Sequence, residues 1–157
     1  MFDNFDFEVS PNIKFTFSKQ TYPTSNIDAR SSEFKKHYYP NRIQMLGKKE
    51  EYECAKYIDK LENVETWIRN IDRRPDYSFW LQTSTDKFYP DFILKLINGK
   101  ILVIEYKGED RTTNDDSKEK NKIGSVWEDL NPNVGFIMVS ANDYMHKIKN
   151  KIAKLLH

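Results

Sequence analysis

A single cysteine, Cys54, in a chain of 157 residues rules out an internal disulfide. The opening MFDNFDFEVS has no basic stretch followed by an apolar one, so no secretion signal is expected and the cytoplasm is the expected compartment. No window approaches the ~20 consecutive apolar residues of a spanning helix, and a mean hydropathy of −0.78 with 31% charged residues argues against any membrane partner. An excess of charge of one sign is also missing. The 25 Lys and Arg face 24 Asp and Glu, a formal +1, unlike the basic balance of many domains devoted to nucleic acid. The histidines are only His37, His146 and His157, too scattered for a zinc site or a histidine-based triad, and surface positions are expected for all three. No GxxxxGK[ST] stretch occurs, which excludes a P-loop motor. Repeats and low-complexity tracts are absent as well.

What is present suffices for a packed core: 38% hydrophobic and 14% aromatic residues in one domain's length of chain. Residues 1–47 read as an N-terminal hairpin and connector. Phe5, Phe7 and Val9, then Ile13, Phe15 and Phe17, alternate around Ser10-Pro11-Asn12, and Ser18 to Gln44 is polar and irregular. From Lys48 onward the pattern sharpens. Glu50 to Leu61 predicts a helix with Ala55, Ile58 and Leu61 on one face. Val64 to Asn70 and Ser78 to Thr83 predict strands, followed by two apolar runs, Tyr89 to Leu96 and Ile101 to Lys107, joined at Asn98-Gly99. Asp116, with Glu119 three residues on, predicts a helix N-cap before the stripe Ile123, Val126, Trp127 and Leu130. Val134 to Ser140 reads as a strand covered on both faces. Met145, Ile148, Ile152 and Leu155 mark a last amphipathic helix with its lysines in water, and Trp67, Trp80 and Trp127 are assigned to the core. This order predicts an α/β fold with helices on the sheet faces.

The chemistry concentrates in the hairpin, at Pro90-Asp91 and Glu105-Tyr106-Lys107. A hard divalent cation takes carboxylate oxygens from two elements, and a neighbouring lysine orients the attacking water. The plain alternative is a salt bridge from the acids to Lys107 without metal. Register decides whether the acids converge. A two-residue turn would pair Ile97 with Lys100 and send Asp91 and Glu105 to opposite faces. A three-residue loop, Ile97-Asn98-Gly99, with Gly99 left-handed, would pair Leu96 with Lys100 and bring Asp91 opposite Glu105. We expect the second, because it also leaves Phe92, Leu94, Leu96, Leu102, Ile104 and Tyr106 as one apolar face.

Tyr89-Pro90-Asp91 followed by Glu105-Tyr106-Lys107-Gly108 resembles the PD-(D/E)XK nuclease signature. The stretch from Trp67-Ile68-Arg69-Asn70 through FYPDFIL and VIEYKG to DDSKEKNKIGSVWE is similar to the C-terminal endonuclease region of type III restriction enzyme subunits and related helicase-nuclease proteins. The resemblance spans roughly residues 48–140 and implies a restriction-endonuclease-like core within a nuclease domain at 48–157. It implies Mg²⁺, with Mn²⁺ as a substitute, held by Asp91, Glu105 and the backbone carbonyl of Tyr106, with Lys107 completing the catalytic set. An acid from the first helix often joins such sites, and Glu51 fits best, ahead of Glu50 and Glu53; a solvated helix face is the plain alternative. Lys120, Arg69, Arg73 and Arg74 are candidates for holding nucleic-acid backbone. The implied substrate is DNA, the implied partners a helicase or methyltransferase subunit or a second copy in a homodimer. A non-catalytic binding module on the same fold, and an RNA-directed nuclease, are the competing expectations.

Overall fold

The computed structural model describes residues 4–9, 13–18, 22, 24–47, 49–108 and 115–157. The N-terminal hairpin forms as expected: strands β1 (Asn4–Val9) and β2 (Ile13–Ser18) pair antiparallel, Phe5 opposite Phe17. Its turn at Ser10-Pro11-Asn12, like the expected boundary at Lys48, lies outside the described residues. Then come helix α1 (Lys49–Lys60), strand β3 (Val64–Arg69), the two-residue strands β4 (Leu81–Gln82) and β5 (Lys87–Phe88), strands β6 (Phe92–Leu96) and β7 (Ile101–Tyr106), helix α2 (Asp115–Leu130), strand β8 (Val134–Val139) and helix α3 (Tyr144–Leu156).

The protein is α/β, built on a mixed four-stranded sheet in the order β3-β6-β7-β8, antiparallel except for the β7–β8 pair. Helices α1 and α3 cover one face, where Ile58, Ile148 and Ile152 pack with Leu94, Leu102 and Ile104. The other face is covered by α2 through Trp127 and by the N-terminal hairpin and the segment after it, which bring Phe5, Phe17, Tyr22, Tyr38 and Tyr39 against Ile68, Ile93 and Val103. Among the described residues no helix is long and apolar enough to cross a membrane.

Both outer strands of the sheet take bonds from outside it. Along β3 the chain at Lys36–Tyr38 supplies backbone bonds, Tyr38 N–H to Trp67 O at 2.8 Å and Trp67 N–H to Lys36 O at 3.2 Å. Along β8 side chains do it: Phe136 N–H donates to Glu128 Oε1 at 3.4 Å and Lys147 Nζ to Met138 O at 3.1 Å.

Several expectations need correction. The strand expected at Ser78 to Thr83 shrinks to Leu81–Gln82, because the Asn70 side-chain amide takes both backbone groups of Phe79, at 2.7 and 3.1 Å. Trp80 is not in the core; its Nε1 donates to Pro75 O and Lys87 stands over its ring. Asp116 lies inside the first turn of α2, bonded to Lys120 one turn on. On α2, Val126 and Leu130 point to solvent, and the buried face is Ser117, Gly124 and Trp127. A Cβ on Gly124 would lie 2.1 Å from the Phe136 ring, so that helix–strand approach requires glycine. Met145 is exposed. His37 is buried, not at the surface.

Candidate active site

The register of the β6–β7 hairpin is the bulged one. Leu96 N–H donates to Lys100 O at 2.8 Å, Gly99 N–H donates to Leu96 O at 2.9 Å, and Gly99 sits at φ +87°, a left-handed conformation that disfavours any residue with a Cβ. Phe92 pairs with Ile104, so Asp91 and Glu105 come next on opposing strands. The ladder stops there for a local reason. Alternation from Leu96–Lys100 makes Pro90 the backbone partner of Tyr106; proline has no N–H to return to Tyr106 O, and the Asp91 carboxylate competes with the Pro90 carbonyl for Tyr106 N–H. Tyr106 N–H turns to Asp91 Oδ2 instead, at 2.8 Å. On the other side Asn70 N–H donates to Asp91 O at 2.9 Å, extending the β3–β6 ladder by one residue. The strands therefore part at Asp91, and a cavity of about 610 Å³ opens there, lined among others by Glu51, Arg69, Tyr89, Asp91, Glu105 and Lys120.

Arg69, the last residue of β3, is buried in this cavity. Its Nη1 donates to Asp91 Oδ1 at 2.8 Å and its Nη2 to Glu51 Oε2 at 3.0 Å, and its guanidinium lies 5.3 Å from the Phe92 ring centre. His37 fixes its backbone: Arg69 N–H donates to Nε2 at 3.0 Å, while Nδ1 lies 2.9 Å from Tyr39 O and 3.2 Å from Tyr39 N. Burial pushes the His37 pKa down to about 4, so the ring is a neutral acceptor near pH 7. Burial also opposes the charge on Arg69, yet Asp91 and Glu51 outweigh it and its pKa is raised.

Glu105 has fewer partners. Only 9% exposed, it has Lys120 Nζ 3.5 Å from Oε2, and Oε1 has no hydrogen-bond partner. Burial first, then the charge of Asp91 and a side-chain hydrogen bond with the Asp91 carboxyl, raise its pKa well above the ordinary carboxylate value, against the pull of Lys120. Burial likewise raises the pKa of Glu51, with Arg69 working against it. The Cys54 thiol is raised by burial and is a core group.

The structure thus brings together Asp91, Glu105, Glu51, Arg69 and Lys120. Glu50 and Glu53 are exposed. Lys107 is half-buried and absent from the cavity wall; its backbone N–H bonds Val139 O at 2.9 Å, and it forms no ion pair among the described residues. Arg73 stands on the rim with its side chain 92% exposed, and Arg74 lies in the exposed turn beyond. No motif or periodicity pointed to Asn26, Gln44 and Met45, which form one wall from the segment read as a connector, or to His37. Arg69, expected to hold nucleic-acid backbone, instead turns inward to Asp91 and Glu51.

Asp91 and Glu105 are chemically suited to a hard divalent cation: two carboxylates opposed across a strand gap, one with a buried oxygen that nothing else satisfies. Glu51 differs in being bonded to Arg69, and among the described residues no group of three or more His, Cys, Asp or Glu converges on a metal position. Compared with known proteins, the chain matches no family model, no curated protein and no solved structure.

Proposed function

We propose that this protein is a divalent-metal-dependent nuclease that hydrolyses phosphodiester bonds of DNA, with a PD-(D/E)XK-type site in which Asp91 and Glu105 hold Mg²⁺. One observation carries the reading: Glu105 is buried opposite Asp91 with Oε1 unpartnered, an arrangement that costs stability unless a cation completes it. When bound, the ion supplies Lewis-acid stabilisation of the charge that builds on the phosphate. The chain's own groups do the rest. Tyr106 N–H and Arg69 hold the Asp91 carboxylate in place from two directions. Lys120, with its amine beside Glu105 and its pKa raised, stays protonated at neutral pH and offsets phosphate charge. Lys107, the lysine of the motif, lies two residues after Glu105 but outside the cavity wall, so its role in orienting water would require its side chain to turn inward when substrate binds. The exposed Arg73 and Arg74 meet the nucleic-acid backbone, whereas Arg69 is committed to its two carboxylates. With a formal charge of +1, affinity for DNA is completed by a partner such as a helicase or methyltransferase subunit, or by a second copy.

The test is nicking of supercoiled plasmid in Mg²⁺ or Mn²⁺, with EDTA as control. Cutting that is lost in Asp91→Ala and Glu105→Gln supports the assignment. Cutting that persists in both removes the site, and metal-dependent DNA binding without any cutting points to a non-catalytic module. Cleavage of RNA in preference to DNA would redirect the substrate.

A further inference from the structure

The acid side of the cavity contains more carboxylates than one metal ion needs, and how they are divided is visible in the bonding. Glu51, Asp91 and Glu105 all line it, but a buried guanidinium stands between the first two. Arg69 is held at several points: backbone N–H by His37, Nη1 by Asp91, Nη2 by Glu51, with a long 3.5 Å approach of Nη2 to Met45 O and the Phe92 ring nearby. Its Nε is buried without a partner, so the group is placed for its two carboxylates rather than for full satisfaction of its donors. A guanidinium so fixed cannot swing aside without stranding a buried charge. Glu51 Oε2 is occupied on the side facing Asp91, whereas Glu105 Oε1 is not occupied at all.

We propose that Arg69 is a built-in counter-cation that limits this acid cluster to a single divalent ion on Asp91 and Glu105, and that Glu51 is a positioning residue that anchors the guanidinium and does not ligate metal. The inference rests on the metal-site reading above and corrects the expectation that Glu51 is a ligand. Asp91 is then shared: Oδ1 accepts from the fixed guanidinium, and Oδ2, which accepts from Tyr106 N–H, is the oxygen that would serve metal with its second lone pair. Neutralising Glu51 leaves the ligands intact, whereas removing Arg69 frees both of its acids and creates a second cation position.

Calorimetric titration of the full chain with MnCl₂ alone tests this without relying on catalysis. Wild type is expected to bind one Mn²⁺. Glu51→Gln should bind one ion with affinity changed by no more than about threefold, Glu105→Gln should lose at least about 30-fold, and Arg69→Met should bind a second ion or bind the first about tenfold more tightly. Should Arg69→Met fail to fold, the double variant Arg69→Met with Glu51→Gln removes the stranded charge, and it should bind one ion more tightly than wild type. Two ions on wild type, or a loss of about 30-fold in Glu51→Gln, overturns the division of labour while leaving the metal site standing. No Mn²⁺ binding by wild type overturns both.

Discussion

Two buried carboxylates in this molecule are treated in opposite ways. Asp28, 2% exposed, accepts four hydrogen bonds: from Arg30 N–H and Nε at 2.9 Å, from Arg30 Nη2 at 2.8 Å and from Leu46 N–H at 3.0 Å. The Arg30 side-chain bonds hold its carboxyl well below the usual range despite burial. Glu105 is buried almost as deeply, has one amine at 3.5 Å and an oxygen with nothing, and is pushed the other way. Asp59 resembles Asp28, with Lys35 N–H, Lys36 N–H and Trp67 Nε1 all within 2.9 Å. The fold can therefore satisfy a buried acid when the acid only has to hold chain segments together. A shortfall of partners at Glu105 is a local exception, and such exceptions concentrate at functional sites.

The contrast is open to breaking by mutation. The largest effect is expected from Glu105→Gln, which should lower metal-dependent cleavage at least about 10³-fold while leaving the urea midpoint at pH 7 unchanged or raised. A clear fall in that midpoint would place Glu105 among the structural acids. Next, Lys120→Met should reduce cleavage about 10²-fold, more than Lys107→Met, in single-turnover assays with saturating Mg²⁺. A reversed order would make the motif lysine the principal amine. Asp28→Ala should cost about 2 kcal/mol in urea denaturation, because it leaves the Leu46 and Arg30 backbone N–H groups without their acceptor, with residual folded protein still able to bind Mn²⁺.

In pH dependence the signs differ from group to group. A raised folded pKa, as at Glu105, contributes stability below the unfolded value of 4.5 that is lost as pH rises, so Glu105→Gln should gain on wild type between pH 4 and 7. Asp28, lowered, stabilises above the unfolded value of 3.8 and loses that contribution only in stronger acid. His37, lowered to about 4 from 6.5, favours the fold above 6.5, and the contribution fades as pH falls between those values, by up to about 3 kcal/mol. Thermal midpoints across pH 4 to 7 for wild type, Glu105→Gln and His37→Gln separate the two contributions.

How much of this was legible beforehand depends on whether local or distant bonds made the structure. The β6–β7 register could be read from Asn98-Gly99 because a short loop and one left-handed glycine fix the pairing, and with it the meeting of Asp91 and Glu105. The segment 22–47 could not. It is held by Asp28, by Asp59 24 residues away and by His37 reaching β3, none of which leaves a periodic trace. The face of α2 misled because its closest approach uses Ser117 and Gly124, which apolar counting ignores. Arg69 was placed at the right strand end, but its direction, inward to two acids, is set by how β3 lies against α1.

Two charged side chains laid along β8, Glu128 from α2 and Lys147 from α3, have a bearing on assembly. An outer strand of sequence VGFIMV would ordinarily be a template for another chain to zip onto. With one carboxylate on an amide hydrogen and one ammonium on a carbonyl oxygen, that seam is occupied at two of its positions, and a newcomer would have to evict both ions. Any twofold association of this protein is therefore expected to leave the sheet rim alone and to use some other surface.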